Sequence, residues 1–243
     1  MHLNSYFSLA TFPMSLSTPL TQDPALLAGL GAVLAAFLYA LFDAWRDERR
    51  RRAGQEVRST LASMAGTIAL LWVLCAACLA AWLASGRTMD MLGLGVGEGW
   101  RAITAWMLAI AGATWLLTDA LKSISTPGRR ETLAEQIHKA GGLGHFDLRS
   151  PREAATFQAM AVTAGLTEEI IFRGFVMLSL ALVAPFWAAA LAGAVIFILF
   201  HAYQGVAGMT RIIPITVVLT GLVVLGETLW PAILVHIVVD MVG

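Results

Sequence analysis

Charge is what this chain of 243 residues has least of. Asp, Glu, Lys and Arg together make up 13% of it, against about 25% in soluble globular domains. With 58% hydrophobic residues and a mean hydropathy of +0.74, that shortage excludes an ordinary water-soluble fold. No sign of charge predominates: sixteen basic and sixteen acidic residues give a net charge of zero, so no nucleic-acid partner is indicated. The first 22 residues hold no Lys or Arg, and so lack the basic start of a secretory signal peptide. Cysteine is confined to Cys75 and Cys78, three positions apart in an apolar run. One C-x-x-C without a second ligand pair is not a zinc ribbon, and the two thiols read as small buried hydrophobes. Internal repeats, low-complexity linkers and an H-E-x-x-H zinc motif are also missing.

What the chain does have is a succession of apolar runs of roughly membrane-spanning length. After an N-terminal tail over 1–23, runs at 24–45, 61–84, 100–121, 154–183, 187–203, 212–226 and 229–242 predict about seven transmembrane helices in an all-α polytopic bundle. Several of the later runs are short for a full crossing, which calls for tilt or local thinning of the bilayer. Residues 24–153 and 154–243 read as two parts of one structural domain, the second carrying the chemistry. Leu133, Ala134 and Ile137, followed by Gly141-Gly142, predict a short amphipathic helix over 131–140, with His138 and His145 as solvent-exposed or interfacial residues. The alternating glycines of 91–99 have no strand–helix context for a nucleotide fingerprint, and read as a loop at the membrane interface. The run Arg46-Asp47-Glu48-Arg49-Arg50-Arg51-Arg52 sets topology. Loops 46–58, 122–152 and 204–211 hold thirteen basic residues, while the opposite side has only Arg87 and Arg101. The bias predicts an integral protein of the cytoplasmic membrane, N-terminus outside and C-terminus in the cytoplasm.

Within the fourth run stands Glu168-Glu169-Ile170-Ile171-Phe172-Arg173. A single ionisable residue at mid-span costs about 2.5–3.5 kcal/mol on insertion scales, so three imply a protein interior or a wet cavity. At about 100° per residue, Glu169 and Arg173 share a helix face and can pair. Glu168 then points elsewhere and is left for a substrate, a water or a metal. The fifth run ends Phe197-Ile198-Leu199-Phe200-His201, and the seventh holds His236 and Asp240 one turn apart. Either histidine alone is more often a helix-contact residue. Together with Glu168 they form a constellation from three spans.

A Glu with two His permits two kinds of hydrolysis. The Glu can deprotonate a water while imidazoles stabilise the oxyanion, or Glu168, His201 and His236 can share a zinc ion that activates the water. Asp240 can orient His236 or add a ligand. These alternatives stay open at the level of sequence.

E-E-x-x-x-R at 168–173, F-x-x-x-H at 197–201 and H-x-x-x-D at 236–240, with Phe-Arg-Gly-Phe at 172–175, resemble the CPBP family. That family includes type II CAAX prenyl proteases and bacteriocin-processing or immunity-associated (Abi) membrane proteins. The resemblance covers roughly 151–243. It implies an all-helical intramembrane protease, with or without metal assistance, acting on a peptide or protein at the bilayer. Glu168 would activate water, His201 and His236 would assist, and Glu169 with Arg173 would support them. In the prenyl-protease branch the last motif usually carries Asn where this chain has Asp240; an Asn donates to an oxyanion, an ionised Asp does not. The rival class is a non-catalytic membrane protein, an immunity factor or transporter accessory, using the same cluster for binding.

Overall fold

The computed structural model describes residues 19–56, 59–126, 128 and 150–242. The expected tail up to residue 18, the amphipathic helix over 131–140, and His138 and His145 lie outside them. The described residues build helices and no strand. In chain order these are α1 (Pro24–Arg52), α2 (Thr60–Ala84), α3 (Gly99–Ser125), α4 (Pro151–Glu168), α5 (Phe186–Phe200), α6 (Gly205–Gly226) and α7 (Trp230–Val242). The rod begun by α4 does not stop at Glu168. It widens into a π-helix over Glu169–Val176 and returns to α-helix over Met177–Leu180.

Four of these helices are long and apolar enough to cross a membrane: α1, α2, α3, and α6 with the short turn before it. α5 and α7, with 15 and 13 residues, reach only about 20–23 Å at 1.5 Å per residue, short of a hydrocarbon core about 30 Å thick. The short-span expectation is therefore met at α5 and α7. The α4 rod is sheathed by its neighbours, with α2 and α7 against its first part and α5 against its end, while α6 packs on α3, α5 and α7. All eight residues from Glu169 to Val176 are buried. That is how Glu169 and Arg173 persist in an apolar segment: they face protein rather than lipid.

The helix starts follow local chemistry. Pro24 opens α1 and the Asp23 carboxylate accepts from the Leu26 N–H at 3.1 Å, while Ser59 caps α2 in the same way through Ala62. Four arginines close α1, where cations complement the helix dipole. Three of them are held locally, Arg51 and Arg52 to Glu48 at 3.7 and 2.7 Å and Arg49 over the Trp45 ring.

Asp23 does more than cap. Its second oxygen takes Arg87 Nη1 at 2.6 Å, and both side chains are buried, so the start of α1 is bolted to the segment after α2. Burial pushes the Asp23 carboxyl up, but the Arg87 hydrogen bond, the Leu26 N–H and the Arg87 charge together hold it below its ordinary value. A carboxyl depressed in the folded state adds stability above its unfolded pKa of about 3.9 and loses it as pH falls through the folded value. Wild-type protein in detergent is therefore expected to lose thermal stability below about pH 4. Asp23→Asn should start lower and lack that acid-dependent step. A gap between the two melting curves that stays constant from pH 6 to pH 3 would count against this pair.

The glycine-rich loop has a structural use. Its Gly93 carbonyl accepts the Leu229 N–H at 2.8 Å, Gly95 O accepts from Thr228 at 2.6 Å, and Leu94 O accepts from Trp230 Nε1 at 2.9 Å. A side chain at Gly97, which sits at φ +75°, would strike the Gly226 carbonyl. On the next helix Arg101 pairs with Glu227 and donates to Val224 O at 2.8 Å. The loop thus clamps the α6–α7 turn and sets where α7 enters the bundle.

Candidate active site

The site is built where α7 lies against the α4 rod. The close approach depends on Gly165: a Cβ there would come within 2.7 Å of the Ile237 backbone nitrogen and 2.9 Å of its Cα. Three and four residues on stand the two glutamates, and across from them His236, one residue before Ile237.

The glutamates have separate surroundings. Glu169 is fully buried. Its Oε1 receives Arg173 Nη1 at 2.8 Å and lies 2.7 Å from His236 Nδ1. The i, i+4 pairing read from helical spacing is present, although the segment is a π-helix where an α-helix was expected. Such wide turns often mark functional sites. With nearly one extra residue per turn, consecutive side chains fan less far apart, and both carboxylates address one imidazole. Glu168 lies 3.8 Å from His236 Nε2 through Oε2, its side chain 15% exposed. Asp240 Oδ2 lies 3.6 Å from the same nitrogen and is more open, at 34%.

Tautomers follow from the partners. Glu169 is a carboxylate opposite a guanidinium, so it accepts and His236 Nδ1 donates. That leaves His236 Nε2 facing Glu168 and Asp240, an arrangement complementary to a doubly protonated ring. His201 Nδ1 stands 2.9 Å from the Phe197 carbonyl oxygen. A carbonyl only accepts, so Nδ1 carries the proton and neutral His201 keeps its lone pair at Nε2.

The structure thus brings together Glu168, Glu169, Arg173, His236 and Asp240. His201 is joined to them through Phe197, whose ring lies 4.7 Å from the His201 ring and 6.0 Å from that of His236. Phe197 also supports the Arg173 guanidinium at 4.1 Å, a cation–π contact in a dry setting. Phe172 packs edge-on against Phe197 and Phe200 and completes the apolar floor. Three features escaped the sequence reading: the Glu169–His236 bond, the role of Gly165, and the Arg173–Phe197 contact. Only the glycine gave a signal, one helical turn before Glu169.

His201, His236 and Glu168 were also read as a possible zinc set. Among the described residues no group of three or more His, Cys, Asp or Glu stands close enough to hold a metal ion. His236 Nδ1 is taken by Glu169 and His201 Nδ1 by the Phe197 carbonyl, which leaves the Nε2 of each ring for the site. Cys75 and Cys78 are buried free thiols in α2, as expected.

A polytopic helical bundle with a locked Glu–Arg–His unit beside a half-open Glu and Asp is a membrane protein with an internal polar site. Residues 150–242 match the family model of Rce1-like type II CAAX prenyl endopeptidases, a family of membrane proteases. Every residue gathered at the site falls inside that segment, so the resemblance read from the three motifs is shown there; the match does not extend to α1, α2 and α3. No curated protein and no solved structure matches the chain.

Proposed function

We propose that the protein is an intramembrane endopeptidase that hydrolyses a peptide bond with water activated by Glu168. The observation that carries this reading is the divided environment of two neighbouring carboxylates. Glu169 is committed to Arg173 and His236, whereas Glu168 is partly open beside His236 Nε2 and Asp240. Pairs of acids whose surroundings differ in this way take different roles in catalysis.

In this mechanism Glu168 takes a proton from a water whose second hydrogen can be accepted by His201 Nε2. The hydroxide oxygen bonds to the substrate carbonyl carbon, and the C=O electron pair moves to the oxygen. His236, held through Nδ1 by Glu169 and backed by Arg173, presents Nε2–H to that negative charge. Collapse breaks the C–N bond and the leaving amine takes the proton from Glu168. Asp240 balances the charge of the His236 ring. The product is a carboxylic acid and an amine, and no group beyond these side chains and water is needed.

The family likeness points to a substrate peptide tethered at the bilayer, with a prenylated C-terminal CAAX sequence as the first candidate. Comparing protein termini in membranes carrying wild-type chain or Glu168→Gln tests the reading. Wild type should produce new termini that vanish in the variant, with the uncleaved precursors accumulating. Identical termini in both would leave a binding protein, not a protease. The thirteen basic residues against two support an N-out, C-in orientation. Single cysteines at Gly54 and Gly95, in a Cys75- and Cys78-free background, should label from the cytoplasmic and outer sides respectively; the reverse pattern would invert the topology.

A further inference from the structure

The oxyanion formed by this chemistry needs donors, and the cluster is short of them. Neutral His201 has its only N–H committed to the Phe197 carbonyl. Asp240, when ionised, accepts and cannot donate. Of the motif residues only His236 Nε2–H is aimed into the site, whereas oxyanion holes commonly pair two donors.

A second donor stands on the turn that follows His201. Tyr203 lies in the short 3₁₀ turn Ala202–Gln204 between α5 and α6. Its ring is stacked on the His201 imidazole, with centroids 6.1 Å apart and planes at 26°. That stack sets Tyr203 beside His201, whose neighbour Phe197 also lies against the ring of His236. Gln204 Nε2 donates to the Tyr203 oxygen at 3.1 Å. That bond occupies a lone pair and leaves the phenolic hydrogen available to donate. Half the residue is exposed, so a substrate can reach it.

We propose that Tyr203 is a further catalytic residue of this site, its O–H and His236 Nε2–H together binding the oxyanion of the tetrahedral intermediate. This rests on the hydrolase reading above and adds no reactant to it. As the water oxygen bonds to carbon, the carbonyl oxygen gains the electron pair and a hydrogen bond from Tyr203. The phenol keeps its proton throughout, and the bond relaxes when the C–N bond breaks. The inference also gives the Asp240 position a rationale: with an acid there in place of an amide donor, the donor comes from the neighbouring turn.

The test uses the purified full chain in detergent with two internally quenched peptides, one farnesylated at a C-terminal CAAX sequence and one unprenylated. Tyr203→Phe keeps the ring on His201 and removes only the hydroxyl. It is expected to lower kcat by about 100-fold, as loss of one oxyanion donor does, with KM changed less than about twofold. Asp240→Asn placed in the Tyr203→Phe background should restore part of kcat, because the amide supplies an N–H. A Tyr203→Phe variant with wild-type kcat, or one whose loss lies in KM alone, overturns the role of Tyr203 and leaves the protease reading intact. If wild type shows no Glu168-dependent cleavage of either peptide, the protease reading fails and the role of Tyr203 goes with it.

Discussion

Glu169→Gln is expected to abolish cleavage and to cost about 3–5 kcal/mol of stability, the usual result of removing one partner from a buried ion pair. The structure explains why so much depends on one carboxylate. Arg173 is buried, and among the described residues only Nη1 of its guanidinium has a hydrogen-bond partner. Besides Glu169 the cation has the face of Phe197. A neutral amide can accept one bond from Arg173 but cannot balance its charge. It also competes for His236 Nδ1, whose N–H then has no anion to hold it, and the ring is free to turn. Activity and folding should therefore fall together. Glu168→Gln is the necessary contrast. That side chain is partly exposed and has no short bond, and its removal takes away one of two negative charges facing a single nitrogen. Its thermal midpoint in detergent should be equal to or above wild type while cleavage is lost. Equal destabilisation of the two variants would contradict the division of roles.

Gly165→Leu should be nearly as damaging without touching a polar group. Any Cβ at 165 meets backbone atoms of Ile237, which cannot rotate out of the way. The relief must come from α7 moving as a body, and α7 carries both His236 and Asp240. A misplacement of 1 Å can cost on the order of 100-fold in rate. The expected series is graded: Gly165→Ala loses roughly 10–100-fold in kcat, and Gly165→Leu loses activity altogether with a lowered melting temperature. Gly112 on α3 provides the control, since a Cβ there meets nothing within 4 Å. Gly112→Ala should be neutral or slightly stabilising, because alanine is the better helix former. Full activity in Gly165→Ala would show that α7 is not positioned by this contact.

Much of the architecture could be read directly from composition and periodicity. The apolar runs anticipate the seven helices of the described residues, with most ends within a few residues. The largest errors are at the end of α1, expected at 45 but reached at Arg52, and at α6, expected from 212 but beginning at Gly205. Its first turns, with Gly205, Gly208, Thr210 and Arg211, are too polar to extend a hydropathy signal, though they fold onto the rest of the helix. The Glu169–Arg173 pair was legible as well, because positions four apart meet on a helix whatever surrounds it. The π-turn over the same residues was not, since no local propensity distinguishes it from α-helix.

The limit lies between local and non-local interactions. The sequence by itself determined a membrane bundle, the order of its spans, the three motifs and the pairing within one helix turn, because each depends on solvent preference or on fixed spacing along the chain. Only the tertiary structure decided that Glu169 rather than Glu168 holds His236, and that the 93–97 loop seats α7. These depend on how closely α4 and α7 approach, which Gly165 permits and a clamp some 70 residues earlier in the chain fixes. The azimuth of one helix against another comes from packing summed over both surfaces, and no stretch of either helix encodes it alone.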